Sequence, residues 1–100
     1  MLERDIVKRI REHVSANGGK CYKLHGSAFS SAGAPDLMGN HRGVPFAIEV
    51  KRLGNVATPL QAREIGEWAE QGWVSGVATS VVEFEVLFEE WYEETGGERR

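Results

Sequence analysis

Leu2, Ile6, Ile10 and Val14 recur at every fourth position, with Val7 beside them, and predict an amphipathic helix over residues 2–16. Asn17-Gly18-Gly19 supplies residues suited to a left-handed cap at its end. The stretch KCYKLHG then reads as a short strand, with Cys21 or Tyr22 facing inward, and SAFSSAGA reads as a loop. PDLMGN and VPFAIEVKR flank NHRG and predict a β-hairpin, with Pro45 suiting the beginning of its second strand. Thr58-Pro59-Leu60-Gln61 opens the next helix as a capping box with proline at the first helical position. That helix runs to about Gln71, stops at Gly72, and offers Leu60, Ile65, Trp68 and Ala69 as its inner face. WVSGVATS reads as a strand. Ser80, paired with Glu83 in a second capping box, starts a last helix whose apolar stripe is Val81, Phe84, Leu87, Phe88 and Trp91.

The expected order is α-β-β-β-α-β-α. This is an α/β fold with a central mixed sheet of about four strands, one domain over residues 1–95, and a flexible tail over 96–100. No apolar run approaches the length of a membrane span, so no membrane association is expected. The lone Cys21 cannot form an internal disulfide, which points to a reducing, cytoplasmic setting. Net charge is −3, which alone would argue against a nucleic-acid partner. Its distribution reverses that reading. Residues 1–82 carry 10 Lys+Arg against 8 Asp+Glu, whereas residues 83–98 carry seven acids and no base. The acidity belongs to the last helix, and the body is mildly basic.

Within the hairpin, side chains at i and i+2 share a face, so Glu49 and Lys51 point the same way while Val50 points into the opposite layer. The turn brings Asp36 alongside them. Two close carboxylates repel unless a proton or a cation lies between them. Hard carboxylate oxygens, joined by the Val50 carbonyl, suit Mg²⁺ or Mn²⁺ rather than a soft metal. A lysine beside such an ion can orient a water or stabilise phosphoryl charge, and the set suits phosphodiester hydrolysis.

The spaced set GAPDLMG, FAIEVKR, TPLQ and WAEQGWVSGVATSVVEF resembles the VRR-NUC domain, the virus-type replication–repair nuclease, over about residues 3–88. Its APD and IEVK halves resemble the bipartite PD-(D/E)XK nuclease motif. The resemblance implies a restriction-endonuclease-like αβββαβ core with a C-terminal helix. It further implies that Asp36 and Glu49 are metal-binding acids, that Lys51 is the catalytic lysine, that Gln61 stands near the metal or water, and that Glu3 adds a third acid. Family members that stand alone at this length resemble junction-resolving enzymes of phages and bacteria, working as homodimers on branched DNA. The expected activity is therefore Mg²⁺- or Mn²⁺-dependent cleavage of four-way (Holliday) junctions, in a bacterial or phage-infected cell.

Several of these residues also have plainer explanations. The capping box accounts for Gln61 without catalysis, and the helix dipole favours Glu3 in a first turn. Arg4, Lys8 and Arg11 share a helix face, and they, Arg52 and Ser27 are candidate contacts to DNA phosphates as well as ordinary solvated groups. His25 and His41 lack ligand spacing and are expected to be solvent-exposed. Trp68, Trp73 and Trp91 are expected in the core or at a subunit interface, and Cys21 as a small buried hydrophobe. Two rival readings stand beside the junction nuclease: a nicking, flap or restriction-like nuclease, and a non-catalytic nucleic-acid-binding module.

Overall fold

The computed structural model describes residues 1–24 and 33–98. Its elements follow the expected order: α1 (Glu3–Ala16), β1 (Lys20–Lys23), β2 (Leu37–His41), β3 (Val44–Val50), α2 (Pro59–Glu70), β4 (Val74–Ala78) and α3 (Val81–Thr95). The strands form one mixed sheet in the order β1-β2-β3-β4. Both β1–β2 and β2–β3 are antiparallel, and β3–β4 is parallel, with α2 as the crossover.

Alternation along β3 divides the interior into two layers. Val44, Phe46, Ile48 and Val50 point to the face covered by α1 and α3, where they join Ile6, Val7, Ile10, Val14, Phe84, Phe88 and Trp91. Ala47 and Glu49 point to the other face, where α2 packs on β3 and β4. Every residue of β3 is buried, as expected of a central strand covered on both sides. Gly76 in β4 permits close approach of α3, because a Cβ there would meet the Leu87 side chain at 2.8 Å.

The caps explain where the helices stop. At the end of α1, the Gly18 N–H donates to the Ser15 carbonyl and the Gly19 N–H to the Val14 carbonyl, with Gly18 at φ 80°. This is a Schellman motif, as Asn17-Gly18-Gly19 led one to expect. Thr58 and Gln61 form the reciprocal box at the start of α2. The second box forms only in half. The Glu83 N–H donates to Ser80 Oγ, but the Glu83 carboxylate reaches one residue further back, accepting from the Thr79 N–H at 2.7 Å.

Three sequence expectations need correction. The hairpin loop is shorter than NHRG: Asn40 and His41 belong to β2, and only Arg42 and Gly43 turn, at φ 55° and 75°. Two successive positive φ values match the twist of the flanking strands, so a two-residue loop suffices. Second, α2 has no buried residue; Leu60 is 55% exposed and Ala69 is exposed. Trp68 and Trp73, each partly covered, instead pack against each other, their rings tilted by 45° with centroids 4.5 Å apart. Third, His41 is buried, with 1% exposure, and packs edge-on against Phe88. Trp91 is in the core, where its indole N–H donates to the Gly72 carbonyl. Cys21 is partly buried against the same core. His25 and Ser27 lie outside the described residues.

Candidate active site

The antiparallel register pairs Leu37 with Ile48, and one further step places Asp36 opposite Glu49. Asp36 stands just before β2, after Pro35. On the opposite edge of β3 the Lys51 N–H donates to the Ala78 carbonyl, continuing the β4 ladder, so the Val50 N–H faces the β2 side. Asp36 Oδ2 accepts it at 2.8 Å. The carboxylate thus serves as the acceptor for β3 just beyond the last β2–β3 pair. Its position is fixed by the backbone of the strand that carries Glu49.

Gly33 sets the approach. It has φ 82°, and a Cβ there would lie 3.0 Å from backbone and side-chain atoms of Leu60. The turn before Asp36 therefore rests directly on the first turn of α2. Gly33→Ala is expected to lower stability by about 1–3 kcal/mol through left-handed strain and this contact. It is also expected to weaken divalent-ion binding, because the turn carries Asp36. Urea unfolding and calorimetric metal titration on the one variant check both effects.

Gln61 caps its helix and also reaches Glu49. The Thr58 N–H donates to Gln61 Oε1 at 2.9 Å, and the Gln61 N–H donates to Thr58 Oγ1 at 3.2 Å, completing the helix cap. A backbone donor fixes which end of the amide is oxygen, so Nε2 is free to donate elsewhere. It donates to Glu49 Oε1 at 3.2 Å. The start of α2 is thereby joined to the carboxylate pair.

Glu49 is 3% exposed. Burial pushes its carboxyl up from the ordinary 4.5 to about 8. A hydrogen bond with Asp36 and the charges of Asp36 and Glu3 add to the rise, and the Lys51 ammonium opposes it. With its carboxyl at about 8, Glu49 keeps its proton near neutral pH when no cation is bound. A divalent cation would do the same electrostatic work with both groups ionised. The all-oxygen donor set, held by backbone and by Gln61, fits a hard ion of the Mg²⁺ or Mn²⁺ class.

The remaining candidates separate. Glu3, half-buried in the first turn of α1, is near enough for its charge to act on Glu49. Arg4, Lys8 and Arg11 line a groove of roughly 610 Å³ between α1 and β1, together with Lys20 and Lys23. The two lysines were not singled out from the sequence, since only the chain reversal at Gly18-Gly19 brings β1 beside α1. Arg52 is exposed on the segment after β3.

The fold has counterparts among solved structures. One, described as "VRR_NUC domain", is 33% identical, with a TM-score of 0.71, and the match covers 90% of this chain and 97% of the other. This chain belongs to the VRR-NUC family. A second, described as "VRR_NUC domain protein", shares the fold at 19% identity with a TM-score of 0.68, covering 93% and 89% of the two chains. No protein-family model matches the sequence, and no curated protein matches it. The VRR-NUC match spans most of the chain.

Proposed function

We propose that the chain is a divalent-metal-dependent endodeoxyribonuclease that hydrolyses phosphodiester bonds in branched DNA, with four-way junctions as its substrate and a homodimer as its working form. The observation that carries the reading is the Asp36–Glu49 pair, a buried carboxylate braced against a second one across a strand register, with Lys51 on the same face. Membership of the VRR-NUC family supports the nuclease class.

Asp36, Glu49 and the Val50 carbonyl would hold Mg²⁺ or Mn²⁺, with Glu3 as a further acid near the pair. Such an ion, when bound, polarises a phosphoryl oxygen and acidifies water at neutral pH. The protein's own groups supply position. The Val50 N–H holds Asp36, Gln61 Nε2 holds Glu49, and neither acid is left to swing. Lys51 orients the attacking water or stabilises negative charge that develops on the phosphate. A homodimer would hold two such sites at a fixed spacing, as opposed cuts across a junction require.

The groove of Arg4, Lys8, Arg11, Lys20 and Lys23 begins one residue after Glu3 and suits a phosphate backbone leading to the carboxylates. Such contacts supply affinity without sequence preference. Lys8→Ala combined with Arg11→Ala should reduce DNA affinity at low salt and lower the slope of log K against log salt by about 1 to 2. Titration of labelled junction at several salt concentrations checks this.

A cleavage panel of four-way junctions, flaps and plain duplex, run with Mg²⁺ or Mn²⁺, tests the assignment. Preferential paired cutting of junctions is expected. Equal cutting of flaps or linear duplex would favour a nicking or restriction-like enzyme. DNA binding with no cleavage in either metal would favour a non-catalytic binding module.

A further inference from the structure

We propose that His13, His41 and Glu85 form a second, separate cation site, selective for a transition ion of the Zn²⁺ class. His13 comes from α1, His41 from the end of β2 and Glu85 from α3. Among the described residues, one ligand atom from each lies within 4.8 Å of the others. His13 Nε2 is 2.8 Å from Glu85 Oε1, and His41 Nε2 is 2.5 Å from the same oxygen. The site is remote from Asp36 and Glu49. It lies five residues along β2 from Asp36, about 17 Å at strand spacing, and on the α1–α3 face of the sheet.

Two imidazole nitrogens and one carboxylate oxygen suit Zn²⁺ and its neighbours, whereas Mg²⁺ prefers an all-oxygen shell. Zinc bonds of about 2.0–2.2 Å set tetrahedral ligands roughly 3.3 Å apart. The two nitrogen–oxygen separations need to widen by less than about 1 Å, within reach of side-chain rotation at Glu85. Glu85 and His13 are each partly exposed, so water can take the fourth position. Arg42 Nη1 stands 3.3 Å from Glu85 Oε2, holding the other carboxylate oxygen, and is itself held by Glu89 Oε1 at 2.9 Å. Burial works against ionisation of Glu85, but hydrogen bonds and charge from His13 and His41 outweigh it, and its carboxyl falls below the ordinary range. An ionised carboxylate between two imidazoles is the state a metal needs.

One feature limits the affinity. His41 Nδ1 is buried with no hydrogen-bond partner. Without metal, Nε2 faces a carboxylate oxygen and so carries a proton that it donates to Glu85. Ligation through Nε2 moves that proton to Nδ1, where no acceptor receives it. Loss of such an outer partner costs on the order of 10- to 100-fold in metal affinity. With three protein ligands, the expected Kd is roughly micromolar, weaker than that of four-ligand structural sites.

The alternative is a purely hydrogen-bonded clasp among α1, β2 and α3. Thermal melts of the full chain with Zn²⁺ alone separate the two. At free Zn²⁺ 100-fold above Kd, the folding constant should rise about 100-fold, raising Tm by roughly 10 °C. In a Glu49→Gln background, which lacks the acid pair, the rise should remain; His13→Asn or Glu85→Gln added there should abolish it, and Mg²⁺ should not reproduce it. Co²⁺ gives a readout independent of any variant: the intense visible absorption of a four-coordinate ion is expected. No Tm rise in the wild type, loss of the rise in Glu49→Gln, a rise that survives there in both triad variants, an equal rise with Mg²⁺ in Glu49→Gln, or only the pale spectrum of six-coordinate Co²⁺ would overturn the proposal.

Discussion

Glu49→Gln and Lys51→Ala are each expected to lower junction cleavage about 10³-fold or more, while the fold persists. The separation of effects follows from where the two side chains sit. Glu49 is buried, but its contacts are Asp36, Gln61 and the opposing charge of Lys51, and none belongs to the apolar core. Glutamine keeps the size and retains an oxygen to accept from Gln61, yet it removes the charge that would hold a cation. Lys51 lies beyond the last residue of β3, and alanine there leaves its backbone bond to Ala78 intact. Single-turnover cleavage of synthetic junctions, circular dichroism and sedimentation on the same samples test the pair. Wild-type rates in either variant would remove the carboxylate–lysine set from the chemistry, whatever the fold.

The features legible in the sequence were those fixed by local rules. Strand alternation put Glu49 and Lys51 on one face, and a short hairpin carried Asp36 to the facing position. The register confirms that placement because the antiparallel pairing runs unbroken from Arg42-Gly43 to Leu37. The capping residues at Thr58 and Ser80 were equally local. Features set by distant chain segments were not legible. His41 looked like an ordinary turn residue because its carboxylate partner is 44 positions away, on α3. The Glu85–His13 contact spans 72 positions. Nothing in the spacing of single histidines announces such a meeting. Helical periodicity likewise identified α2 without showing how little of it is covered, because an apolar stripe has the same spacing whether a sheet or solvent faces it. Gly33 was part of a motif, but its reason lies in Leu60, which only the packing of α2 supplies.

The pH dependence of stability should expose the carboxylate pair directly, and without DNA. Glu49 has an ordinary value of 4.5 when the chain is unfolded and about 8 when folded. Between those values the folded state binds a proton that the unfolded state does not. Its stabilising contribution is therefore full below 4.5 and is lost as pH rises through 8, at a slope of about 1.4 kcal/mol per pH unit for one proton. In chelator, urea midpoints should fall steadily between pH 5 and pH 8. Glu49→Gln carries no titrating group at that position and should show a flatter profile over the same window. Saturating Mg²⁺ should flatten the wild-type profile too, since a cation between the acids replaces the proton and favours both ionised forms. The three curves together separate an acid pair that binds a cation from one that merely shares a proton. If the chelated wild type and Glu49→Gln fall in parallel, the proton is not at Glu49. If Mg²⁺ leaves the wild-type slope unchanged, Asp36 and Glu49 do not hold the ion.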